Sequence, residues 1–125
     1  MIGAMTPVLA NIDYVFVTLP SNQVTSELVA EAQATYREEE GLSLVVPVSF
    51  AEQRRLPVCI PMRCITLNVY SDLGGVGLTA AVSAALADHN IPCNVIAAYH
   101  HDHIYVPSEL SERAYEILVA LQKTF

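Results

Sequence analysis

Residues 64–107 read CITLNVYSDLGGVGLTAAVSAALADHNIPCNVIAAYHHDHIYVP, and this stretch decides the fold. From Cys64 to Tyr70 the residues alternate. Ile65, Leu67 and Val69 fall on one face and Cys64, Thr66, Asn68 and Tyr70 on the other, as in a strand with one dry face. A glycine-bearing turn, Ser71 to Gly77, follows. Leu78, Ala81, Val82, Ala85 and Leu86 then recur at helical spacing and make one apolar stripe. That helix is expected to end near Asn90, with Pro92 just beyond it. Cys93–Tyr99 is a nearly continuous apolar run, which predicts a strand covered on both faces. Ile104–Val106 returns from a histidine-bearing turn. Ser108 is placed to cap a last helix with the stripe Leu110, Ala114, Ile117, Leu118 and Leu121. The order is strand, helix, strand, strand, helix, and such units bury helices on one face of an antiparallel sheet.

The first half supports the same order. Residues 1–12 read as a tail or short edge segment. Tyr14–Leu19 is rich in β-branched and aromatic residues and stops at Pro20, as a strand does. Ser21 to Gln33 is polar and Ala-rich, a weak helix or a loop. Ala34–Glu39 and Leu42–Val46 flank Glu40-Gly41 and predict a hairpin. Ser49-x-x-Glu52 has the spacing of a capping box, so a short helix is expected to start there and run through Leu56. Pro57 and Pro61 punctuate a linker. The chain is therefore expected to hold an N-terminal half over 1–60 and a C-terminal half over 61–125.

The totals bound the function. A chain of 125 residues with 53% apolar residues builds a real core, and 15% charged residues is too few for a disordered segment. The net charge of −7 opposes nucleic-acid and anionic-membrane binding, which need a cationic surface. No apolar run approaches ~18 residues, so no membrane span is expected. The N-terminus lacks a basic segment followed by an apolar run, so a cytoplasmic protein is expected. Cys59, Cys64 and Cys93 are too few and too unevenly spaced for a disulfide framework or a zinc knuckle.

Three stretches bear on chemistry. In Ser71-Asp72-Leu73-Gly74-Gly75-Val76-Gly77, glycines let the backbone turn sharply. The helix that follows then aims its first N–H groups, and the positive end of its dipole, at any anion resting there. No Gly-Lys-Ser/Thr follows, and the spacing departs from the dinucleotide fingerprint. In His100-His101-Asp102-His103, His101 and His103 share a face of an extended chain, as a metal pair requires. The tip is nevertheless expected to be a hydrogen-bonded turn without a resident metal. Arg37-Glu38-Glu39-Glu40 reads as a solvated hairpin tip, and Arg54-Arg55 as surface. No nucleophile has a partner close in sequence: Cys93 and the histidines lie about a strand length apart, ~20 Å at ~3.3 Å per residue. A pairing across elements stays open.

The segment from Val69 to Cys93 resembles the start of an ACT domain, a ferredoxin-like module that binds amino acids at regulatory sites. TYREEEGLSLVVP, RCITLNVYS and NVIAAYHHDHIYVP extend the likeness over nearly the whole chain from about Tyr14. They resemble a family of short bacterial ACT-like proteins related to the ACT-like repeats of the CASTOR arginine sensors. The common ACT turn carries Pro before its Gly, where this chain has Gly74 before Gly75.

The resemblance implies an α+β, ferredoxin-like fold of two tandem βαββα halves. It also implies a ligand, expected to be an amino acid, against Ser71, Asp72, Leu73, Gly74, Gly75, Val76 and Gly77, with Asn94 at the start of the next strand. A non-enzymatic regulatory protein follows, without catalytic residue or cofactor, and working as a homodimer. Two rivals remain: a small metal-assisted enzyme or transferase built on the histidine tip, and an oligomerisation or adaptor module.

Overall fold

A computed structural model describes residues 6–68 and 77–123. The chain divides into two compact units, Ile12–Pro61 and the combination of Met1–Asn11 with Met62–Phe125.

The Ile12–Pro61 unit carries β2 (Tyr14–Leu19), α1 (Ser26–Glu31), β3 (Ala34–Glu38), β4 (Gly41–Pro47) and α2 (Val48–Gln53). Its strands are antiparallel in the order β3-β4-β2. The segment that reads as weak helix or loop resolves into a 3-10 turn at Ser21–Gln23 followed by α1. Thr25 caps α1 by accepting from the Leu28 amide at 3.2 Å. Helix α2 corrects the expected capping box. It starts at Val48, one residue before Ser49, and no side chain caps it. Pro47 ends β4 and precedes the first helical residue, and the Val48 amide already donates to the Asp13 carbonyl at 2.9 Å, so the strand end sets the entry. The helix closes through Arg55 at φ 57°, with the Leu56 amide donating to the Ala51 carbonyl at 2.8 Å. Val15, Val17, Leu28, Leu44, Val46, Phe50 and Ala51 form the core of this unit.

The other unit carries β1 (Pro7–Leu9), β5 (Met62–Leu67), α3 (Leu78–Ala87), β6 (Asn94–Ala97), β7 (Asp102–Pro107) and α4 (Ser111–Lys123). Its sheet order is β1-β5-β7-β6, antiparallel throughout. The N-terminal segment that reads as a tail thus supplies the fourth strand of this unit, pairing Pro7–Leu9 with Ile65–Leu67. The core holds Ile65, Leu67, Val82, Leu86, Ile91, Ile104, Val106, Ala114 and Leu118. Alternate residues of β5 and β7 therefore face α3 and α4. Helix α3 ends at Ala87, slightly before the expected Asn90, and the turn that closes it runs through Asn90 at φ 58°. The Ile91 amide donates to the Leu86 carbonyl at 3.0 Å and the Asn90 amide to the Ala87 carbonyl at 2.9 Å.

Two expectations for β5 and β6 change. Strand β6 is the sheet edge of its unit, with Asn94 and Ala97 exposed and Val95 and Ile96 half-buried, so its apolar run is not covered on both faces. The face of β5 opposite the helices is not uniformly wet, because Cys64 is buried and sits across from buried Tyr105. Val69 and Tyr70 lie outside the described residues.

Gly41 opens β4 at φ 150°, a conformation that favours glycine. A Cβ there would collide with the Leu19 carbonyl oxygen and stand 3.0 Å from its carbon, both backbone atoms that cannot swing aside. Gly41→Ala should destabilise the fold by about 1–3 kcal/mol, read as a lower urea midpoint at unchanged m-value. An unchanged midpoint would contradict this reading.

Candidate functional site

The register of β5 against β7 locates the site. Leu67 pairs with Asp102 and Thr66 with His103, so the end where the chain leaves β5 is the end where the β6–β7 hairpin turns. That turn closes with the Ala98 amide donating to the His101 carbonyl at 3.0 Å. The Leu67 end of β5 and the histidine tip, far apart in sequence, belong to one end of the sheet. Of the expected ligand residues, Ser71, Asp72, Leu73, Gly74, Gly75 and Val76 lie outside the described residues.

Gly77 is the N-cap of α3. Its φ of 103° suits glycine alone, although a Cβ would meet nothing within 4 Å. Among the described residues no side chain caps α3, and no acidic residue stands in its first turn. The helix opens on Leu78, Thr79 and Ala80, which have no carboxylate to offset the positive end of the dipole. Asn94 lies elsewhere. It is exposed, pairs with Tyr105 and donates to Met62 Sδ at 3.7 Å, three register positions from the Leu67 end, ~10 Å along the strand.

Sequence reasoning missed a second constellation. On the sheet face opposite the helices, Thr66 Oγ1 lies 2.9 Å from His103 Nδ1. Cys64 Sγ lies 3.8 Å from Thr66 Oγ1 and 4.0 Å from His103 Nδ1. Burial pushes the Cys64 thiol above its ordinary value, against opposing hydrogen bonds from Thr66, Tyr105 and the Ile104 backbone. Cys64 is therefore a thiol, not an activated nucleophile. Burial lowers His103, His101 lowers it further, and Asp102 opposes both. The signals were the i, i+2 spacing of Cys64 with Thr66 and of His101 with His103. What sequence lacked was the register that brings the two strands together.

The tip itself is a chain of rings, with Tyr99 and His100 centroids 5.0 Å apart and His101 and His103 6.4 Å apart. Among the described residues no three His, Cys, Asp or Glu side chains converge to hold a metal ion. A shallow depression of about 290 Å³ lined by Tyr115, Glu116, Val119, Ala120 and Lys123 lies on α4 and includes none of the residues above.

Comparison with known proteins gives the class and then the relatives. Two sequence models of the ACT domain match, one over residues 1–63 and the other over residues 60–120. The chain belongs to the ACT-domain family. A protein of unknown function from Vibrio cholerae, called a possible transport protein, is 44% identical over 92% of this chain and 87% of its own, with a TM-score of 0.83. A protein from Agrobacterium tumefaciens is 19% identical over 93% and 87% of the two chains, at a TM-score of 0.71. The regulatory subunit of aspartate kinase from Thermus thermophilus, in a ligand-free form, shares the fold at a TM-score of 0.60, with 13% identity over 94% and 97%. No curated protein matches the chain. No helix among the described residues is long and apolar enough to cross a membrane.

The sign of the His103 shift gives a pH prediction. Its folded value lies below the ordinary 6.5, so the folded protein binds fewer protons than the unfolded chain between the two. The His103 contribution is complete above the ordinary value and is lost as pH falls through it toward the folded value. Urea midpoints should therefore drop on acidification. His103→Gln should lose part of that slope, and identical slopes in the two proteins would contradict the assignment.

Proposed function

We propose that this protein is a non-enzymatic regulatory module that binds a small ligand, an amino acid, at the end of the sheet where β5 gives way to α3. The observation that carries the reading is the start of α3. A glycine in a left-handed conformation opens it, and among the described residues neither a capping side chain nor a carboxylate occupies its first turn. An amino-acid carboxylate there would take the first-turn amide hydrogens and the favourable end of the dipole. The ligand-binding stretch in this reading is Ser71 to Gly77, the glycines letting the ligand approach the main chain. Asn94 joins it only for a ligand that extends along β6.

Membership in the ACT family supports a regulatory role, as does the fold shared with a regulatory subunit of aspartate kinase. Regulation would follow from unequal affinity of the ligand for two arrangements of the protein. The reading includes a homodimer, with the apolar edge strand β6 available to a second copy, and a cytoplasmic location.

Isothermal titration with each common amino acid tests it. At least one should bind with a stoichiometry matching the mass from light scattering, and Gly77→Ala should weaken that binding at least tenfold. No heat and no thermal shift with any of them at millimolar concentration would defeat the reading.

A further inference from the structure

Helix α4 buries one flank in the core of its unit and leaves another open. Ala114 and Leu118 are buried, whereas Glu116, Ala120 and Lys123 are exposed and Tyr115 and Val119 half-buried. The depression of about 290 Å³ lies on this outer flank, lined by Tyr115, Glu116, Val119, Ala120 and Lys123. Glu116, Val119, Ala120 and Lys123 stand at i, i+3, i+4 and i+7. Four residues so spaced form the hole that takes a knob from a facing helix, and the small Ala120 side chain keeps its floor low. The charges at the two ends of the hole have no mate on their own helix. They lie two turns apart, ~10 Å at ~1.5 Å per residue, too far to pair with each other. One turn before Lys123 stand Val119 and Ala120, so no carboxylate is in its reach along the helix. Glu116 faces a like charge, Glu112, four residues before it, a pairing that favours a cation from outside. Among the described residues neither Glu116 nor Lys123 takes part in an ion pair, although Arg113 stands three residues before Glu116.

We propose that this flank of α4 docks a second copy of the chain, the two helices running antiparallel about a twofold axis between Val119 and Ala120. The flank is complementary to itself. The axis lies midway between Glu116 and Lys123, so it brings Glu116 of each copy level with Lys123 of the other. It also seats Val119 of each copy against Ala120 of the other, a knob entering the hole. The two charges without a mate inside the chain then form two ion pairs across the axis, and each incoming ammonium offsets the repulsion between Glu112 and Glu116. The net charge of −7 selects this geometry. Two such chains repel in general, so a second copy docks where a cation meets a carboxylate. One pair of helix faces is a small interface, and the association is therefore weak and transient. It uses neither the β6 edge nor the start of α3, and it stands or falls apart from the amino-acid reading.

Sedimentation velocity of the intact protein over a concentration series tests it. The wild-type chain should self-associate reversibly. Glu116→Lys alone, or Lys123→Glu alone, sets two like-charged pairs across the axis and should raise the dissociation constant at least about tenfold. An equal mixture of the two single variants should regain the association, because each variant then meets its opposite charge on the other. Exchanging both charges within one chain, Glu116→Lys with Lys123→Glu, should regain it as well. Ala120→Gln fills the hole without changing the charge and should weaken the contact too. Urea midpoints near that of the wild type in each variant separate lost docking from a lost fold. A protein that stays monomeric at every concentration overturns the inference. So does self-association that neither single charge variant weakens, or a mixture of the two that associates no better than either alone.

Discussion

The antiparallel register of β5 on β7 is the constraint on which the rest depends. It pairs Met62 with Pro107 through Leu67 with Asp102. A one-residue slip of β5 would turn Ile65 and Leu67 out of the core and send Thr66 into it, and the same slip of β7 would do so with Ile104, Val106 and His103. Burial of those four apolar side chains, each at most 1% exposed, therefore fixes the register. The register in turn sets the hydrogen bond between Thr66 and His103. Stability and site geometry are the same fact viewed from the two faces of one strand pair.

The N-terminal strand strengthens this arrangement. Pro7–Leu9 pairs with β5 on the side away from β7, so β5 is flanked on both sides by hydrogen-bonded neighbours. Unpaired backbone groups along Ile65–Leu67 would loosen the strand that carries Cys64 and Thr66. The Thr6 amide also donates to Gln122 Oε1 at 2.7 Å, tying the same segment to the last turn of α4.

Much of this was legible in the sequence. The alternation around Ile65 and Leu67 and the stripes of α3 and α4 gave strand, helix and core directly, since burial imposes those periods on the residues themselves. The turn that closes α3 was legible because Asn90 tolerates the left-handed conformation, although the helix itself stops at Ala87. The ACT-like resemblance supplied the family before any coordinates. What escaped reading depends on distant partners. The pairing of Pro7–Leu9 joins residues more than fifty positions apart, and nothing in PVL announces it. Edge status for β6 is a property of the neighbours it lacks. The start of α2 at Val48 was misplaced because the Asp13 carbonyl takes the Val48 amide, a long-range bond that outweighs a local capping pattern. The Cys64, Thr66 and His103 constellation was visible only as two separate i, i+2 pairs.

The central claim is that a small anion sits where β5 ends and α3 begins. Backbone amide shift mapping of the isotopically labelled protein during an amino-acid titration tests it most directly. The account predicts saturable shifts concentrated on residues 71–79 and on Thr66 and His103, with α4 silent. Shifts confined to the Tyr115–Lys123 face of α4, or none anywhere at saturating ligand, would contradict it.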